Sequence, residues 1–200
     1  MIPQINMMKK KLENMHLQER INYGYRKVIM MMLVSGLFSI IVIGVLFANM
    51  FNYVENVSAA DQAVKMCRVN VNAAARNIRE MALNNDTSSY SSYEQTVKKL
   101  LTDVDSQLQI IKKSGVVPEA DYNEYASYLS QWANIGYSIM ENIKRGNKDK
   151  ATEQILKDCT PVLNKVVEKA ISLDDMTNEV SNRAARTTFI FAAAGIVCII

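Results

Sequence analysis

The 200-residue sequence contains one histidine, three cysteines, three prolines, seven glycines and one tryptophan. Each scarcity excludes something. A lone His16 with Cys67, Cys159 and Cys198 offers no zinc or iron–sulfur spacing. No GxxxxGK[ST], GxGxxG or HExxH string is present, which removes the commonest nucleotide-binding and metalloprotease chemistries. So few glycines and prolines leave too few turns for an architecture of many short strands. The formal charge is only +3, and six of the basic residues fall within the first 27 positions, so no basic patch on a folded face points to nucleic acid. The chain is expected to need no cofactor or metal and to be no enzyme.

What the sequence does have is apolar residues, 49% against 22% charged, and they are unevenly placed. Residues 28–48, VIMMMLVSGLFSIIVIGVLFA, carry no charge. As a helix they span roughly 30 Å, the thickness of a bilayer core, so a first transmembrane helix is expected there. A buried soluble helix rarely runs so far uncharged. A cleaved signal peptide fits less well, because the run is long and follows a 27-residue polar segment. Lys9, Lys10, Lys11, Arg20, Arg26 and Lys27 precede the run, while Glu55 and Asp61 follow it. The positive-inside rule therefore places residues 1–27 in the cytoplasm and the following residues outside. A second apolar run, FIFAAAGIVCII, starts at Phe189 and reaches only half the spanning length by Ile200. Residues 188–200 are expected to be the truncated start of a second membrane helix.

Residues 49–187 read as helix throughout. Apolar residues recur in a heptad from Met50 through Tyr53, Val57, Ala60, Val64, Cys67, Val71, Ala74 and Ile78 to Met81. The segment NNDTSSY breaks this stripe, and Ser91-Ser92-Tyr93-Glu94 has capping-box spacing for a second helix. That helix carries Tyr93, Val97, Leu100, Leu101, Val104, Leu108 and Ile111, with Gly115 as its left-handed cap. Pro118 suits the first turn of a third helix bearing Tyr122, Tyr125, Leu129, Trp132, Gly136, Ile139 and Ile143, which ends at Gly146. Asn147 or Asp149 caps a fourth, with Ile155, Leu156, Cys159, Val162, Leu163, Val166, Ala170, Leu173 and Val180 inward. Pro161 is expected to kink this helix or to open a separate segment capped by Thr160. Lengths of about 48, 34, 42 and 60 Å at about 1.5 Å per residue close the path. The expected architecture is all-α, an antiparallel up-down-up-down four-helix bundle continuous with two transmembrane helices.

The basic N-terminus, the membrane run, and the stretches NAAARNIREMALNND and KRGNKDKATEQILKDCTPVLNKVVE together resemble the four-helix-bundle sensory domain of bacterial methyl-accepting chemotaxis proteins. The resemblance covers residues 20–200. It implies an extracytoplasmic sensor in a bacterial inner or plasma membrane, working as a homodimer embedded in the lipid bilayer. Its second membrane helix would drive a cytoplasmic module. The domain also occurs in some membrane histidine kinases and diguanylate cyclases, so such an output is the alternative, with a structural two-pass membrane protein a third. Ser35 with Ser39, and Gly44 with Ala48, permit the close helix approach a dimer needs.

Arg68, Arg76 and Arg79 lie off the heptad core of the first long helix, and arginine's planar fork suits a carboxylate. At about 1.5 Å per residue Arg76 and Arg79 are level with Thr160 and Asn164 of the fourth helix. The resemblance implies a small-molecule ligand, or a binding protein, held by first-helix arginines with a polar residue of the fourth. The alternative is a set of solvated charges, with Arg76 beside Glu80 at i,i+4. Trp132 with Tyr122, Tyr125, Tyr128 and Tyr137 reads either as an aromatic cage or, by its spacing, as core. Cys67 and Cys159 fall at different heights, roughly 25 and 42 Å from the membrane, so both are expected to stay reduced and buried.

Overall fold

The structure is a computed structural model describing the backbone of residues 16–199 and the side chains of residues 16–193. Residues 1–15 of the expected cytoplasmic segment, and the Cys198 side chain in the second apolar run, lie outside the described residues. Two compact units are present, Met1–Ala48 with Thr187–Ile200, and Asn49–Arg186.

In the first unit, α1 (Leu17–Asn52) buries no side chain. Among the described residues it begins the one helix long and apolar enough to cross a membrane. Its Ser39 hydroxyl is satisfied within the helix, since Oγ donates to the Ser35 carbonyl at 2.9 Å.

The second unit is a four-helix bundle. The first rod runs through a wide π-helical turn, Tyr53–Ser58, into α2 (Ala59–Leu83). A 3₁₀ turn, Thr87–Ser89, leads to α3 (Tyr90–Ser114), the second rod. The third is α4 (Glu119–Lys144). The fourth is α5 (Lys148–Gln154), a π-helical turn at Ile155–Cys159, and α6 (Thr160–Ile199). Each rod buries its apolar stripe: Val64, Cys67, Val71 and Ile78 from the first, Val97, Val104 and Ile111 from the second, Tyr125, Trp132 and Ile139 from the third, Val166, Ala170 and Leu173 from the fourth. Gly115 and Gly146, at φ 64° and 81°, end the second and third rods in the left-handed conformation that a Cβ disfavours. Gly136 has a different task. A Cβ there would stand 3.0 Å from Ile78 Cδ1, so the small residue lets the first and third rods approach closely.

Polar ties fix which ends meet. Lys148 Nζ donates to the Asn84 carbonyl at 2.7 Å and to Asn85 Oδ1 at 2.9 Å, and Lys144 pairs with Glu94 at 3.2 Å. At the other end Ser181 Oγ donates to the Tyr53 hydroxyl at 3.2 Å. The far end of α2 therefore lies beside the start of α5, and the Tyr53 end lies beside residue 181.

Several positions differ from the heptad expectation. Met50 is 65% exposed, and the polar Asn49 takes the half-buried place instead. The π turn at Tyr53–Ser58 holds one residue more than an α turn, which rotates the residues just before it by about 100°. The same shift in the fourth rod buries Ile155 and leaves Leu156 66% exposed. Pro161 does not begin a separate segment, because helix continues through it. The preceding π turn takes up the missing donor and ring clash of an interior proline. Thr160 caps nothing; its hydroxyl donates to the Ile155 carbonyl at 2.8 Å. The second rod starts at Tyr90, ahead of the expected capping box, and the turn before it is closed by Asp86, which accepts from Ser88 N at 3.0 Å. Glu94 is thereby left to pair with Lys98 at 2.8 Å and with Lys144. Pro118 sits at the N-cap of α4, one place before its first turn.

Candidate functional site

The five residues singled out from the sequence all belong to the bundle, on its first and fourth rods. Arg76 is exposed, with Nε 3.6 Å from Glu80 Oε1, an i,i+4 surface pair of a few tenths of a kcal/mol. Arg79 is exposed too, and its positive charge opposes the upward shift that burial gives the Cys159 thiol. Arg68 is half-buried beside Tyr125. It stands 11 positions from Arg79, roughly 16 Å along the helix, so no small molecule reaches both. Thr160 commits its hydroxyl to its own backbone, and Asn164 is exposed one turn further along α6. The fold thus leaves Arg76, Arg79 and Asn164 on the surface and sets Arg68 well apart from Arg79 along the rod.

The aromatic residues divide. Tyr125 and Trp132 are fully buried and pack as core, while Tyr137 is 41% exposed. The Tyr125 hydroxyl and Trp132 Nε1 are buried without a hydrogen-bond partner, and each has a thiol beside it: Cys67 near the first, Cys159 near the second. Burial pushes the Cys67 thiol up to about 12, and Cys159 upward as well, so neither thiolate forms at neutral pH. Both cysteines are free.

A second polar group lies between the first and fourth rods near Tyr53. Lys65 Nζ binds Asp61 at 2.8 Å and approaches Asp174 at 3.4 Å. Thr177 is fully buried, and its hydroxyl donates to the Asp174 carbonyl at 2.9 Å with Asp61 Oδ1 3.4 Å away. Burial raises the Asp61 carboxyl, but the hydrogen bond and positive charge of Lys65, with the Thr177 hydroxyl, outweigh it and hold the group below its ordinary 3.8. Lys65 is correspondingly raised, chiefly by Asp61. A cavity of about 50 Å³ sits within this seam, between Tyr53 and Asp61 on one rod and Thr177 and Ser181 on the other. It has room for a water or two and none for an amino-acid-sized ligand, whose sites run to about 300 Å³ or more. The sequence does contain a signal for this seam. Continuing the fourth-rod stripe from Leu173 by four residues lands on Thr177, a polar residue at a core position.

Among the described residues, nothing in this geometry assembles a nucleophile, a base and an oxyanion site, and no three His, Cys, Asp or Glu converge on a metal-sized point. What it offers is a helical bundle whose first and last rods are joined by polar contacts near Tyr53. The chain belongs to the family described as "four helix bundle sensory module for signal transduction", which matches residues 14–188. No curated protein and no solved structure matches it.

Proposed function

We propose that the chain is the extracytoplasmic ligand-sensing and transmembrane-signalling part of a chemotaxis receptor, a homodimer in a bacterial inner or plasma membrane. The observation that carries this reading is the family membership together with a helix, Leu17–Leu83, long and apolar enough to cross a membrane. On this reading residues 1–27 are cytoplasmic, 28–48 span, 49–187 form an antiparallel up-down-up-down sensor bundle, and 188–200 begin the second span. The polar ties at both ends of the bundle support the antiparallel order. Packed helices hold discrete arrangements, so a ligand that binds one arrangement better than the other displaces the fourth rod by about an ångström and passes that displacement inward.

The homodimer has a specific support. On the outer side of α2 a second stripe runs through Met66, Val69, Ala73, Arg76 and Leu83, with Met66, Val69 and Leu83 at 45%, 57% and 82% exposure. It lies two residues, about 200°, from the core stripe, where a second copy can cover it. Arg76 sits within that stripe, with Arg79 one turn away, so a carboxylate or a binding protein would be met at the edge of the dimer. Val54→Cys, in the exposed continuation of this rod, is expected to give covalent dimers in high yield in native membranes. Purely monomeric material would overturn the dimer. For the ligand, a thermal-shift screen of the bundle followed by calorimetry on Arg79→Ala should show affinity weakened by about 1.5–3 kcal/mol. The family description names signal transduction without an output. A cytoplasmic heptad hairpin after Ile200 would support the chemotaxis output, and a kinase histidine or a GGDEF string would replace it with an enzyme.

A further inference from the structure

We propose that the first turns of α1, residues 17–27, form a binding face for anionic lipid headgroups, with Arg20, Tyr23, Arg26 and Lys27 as the contacting side chains. The proposal rests on the reading that residues 28–48 span the bilayer, and goes beyond it by assigning a lipid class and the residues that select it. The helix runs unbroken from Leu17 into the apolar run, so side-chain directions follow from about 100° per residue. Leu17, Ile21, Tyr25 and Val28 fall within one sector of about 80° and stay 50–75% exposed. Tyr23, Arg26 and Lys27 occupy the other side, with Arg20 at its edge about 60° from Leu17, and the three basic residues are exposed. On a helix continuing straight from Val28, Lys27, Arg26 and Tyr23 stand within about 8 Å of the end of the apolar run, at headgroup depth, and Arg20 about 12 Å out, where a long side chain still reaches back to phosphates.

Two details separate this from a scatter of flanking charge. Lys27 Nζ stands 5.8 Å from the centroid of the Tyr23 ring, which holds cation and phenol together at one depth, the pairing that suits a headgroup region. The one acidic residue on the basic side, Glu19, is turned to the helix start, where its carboxylate accepts from His16 N at 3.3 Å. In the sequence the first 27 residues hold six basic side chains against Glu13 and Glu19. Basic clusters of that size beside a membrane run bind anionic lipid through an electrostatic attraction that salt weakens.

The test uses the full chain reconstituted in bilayers of equal parts phosphatidylethanolamine and phosphatidylglycerol, then stripped with mild detergent and analysed for retained lipid by mass spectrometry. Phosphatidylglycerol is expected to be enriched about threefold or more over the bilayer ratio, and less so when the strip is done in high salt. The variant R20Q/R26Q/K27Q should return retained lipid to the bilayer ratio, while K98Q/K99Q on the second rod should leave the enrichment unchanged. Wild-type lipid at the bilayer ratio, or enrichment that survives the triple variant, overturns the proposal. Carbonate extraction of the same samples separates the two readings. A chain that stays embedded without enrichment keeps the span and loses the headgroup face, whereas a chain that extracts loses both.

Discussion

The middle of the bundle and the seam near Tyr53 solve the same packing problem by different means. Around Trp132 the contacts are dry: Trp132, Tyr125, Ile78 and Ile139 are at most 1% exposed, and the Tyr125 hydroxyl and Trp132 Nε1 are buried without a hydrogen-bond partner. At the seam the contacts are polar: Lys65 donates to Asp61 and stands 3.4 Å from Asp174, Thr177 donates to the Asp174 carbonyl, and a water-sized gap lies beside them. A close-packed apolar layer cannot slip without opening voids or forcing rotamers. Polar contacts can exchange for water at about 1 kcal/mol apiece. The middle therefore determines that the rods pack, and the seam determines how firmly the fourth rod is held at its present height.

The largest expected effect tests the dry half. Trp132→Ala should cost about 3–5 kcal/mol in chemical unfolding of the bundle, the range for emptying a large aromatic from a core. A loss below about 1.5 kcal/mol would mean the middle is no better packed than the seam.

Next in size is Gly136→Ala, where the methyl group's pressure on Ile78, about 1–3 kcal/mol, is offset by about 1 kcal/mol of helix propensity, for a net cost of up to about 2 kcal/mol. The double variant with Ile78→Val should recover part of that loss. Strict additivity of the two would place the strain elsewhere.

The seam is sharpened by pH. The carboxyl of Asp61 is lower in the folded state than its ordinary 3.8, so its contribution is fully present above that value and is lost as pH falls through the lower folded value. Asp61→Asn should therefore flatten the acid limb of the stability profile below about pH 4, by no more than about 1 kcal/mol given the partial exposure of the pair. An unchanged acid limb would show that Asp61 gains nothing from Lys65 in the folded state.

The smallest effect is that of Arg76→Ala, within about 0.5 kcal/mol of wild type when the bundle is unfolded as a monomer, since only an exposed pair with Glu80 is then removed. A larger loss would give that surface a structural role outside both regions.

The sequence by itself determined four rods, their approximate ends and most of their buried faces. Long amphipathic stripes such as Val64-Cys67-Val71-Ala74-Ile78 admit one face only, and the NNDTSSY segment, Gly115 and Gly146 stop helices for local reasons of capping and positive φ. The two π turns were beyond the reach of the sequence. Ile155 and Leu156 are both apolar, so a periodic count accepts either phase, and only contact with the other rods selects the first. At the earlier turn the same count prefers the apolar Met50 to its polar neighbour Asn49, and the extra residue in the turn reverses that order. The polar seam was decided in the same way. Asp61 and Lys65 are an ordinary i,i+4 pair until the fourth rod brings Asp174 and Thr177, more than 100 residues later in the chain, against them. Local chemistry sets a helix and its stripe, but burial of a polar group is a property of what faces it, and that exists only once the rods have packed.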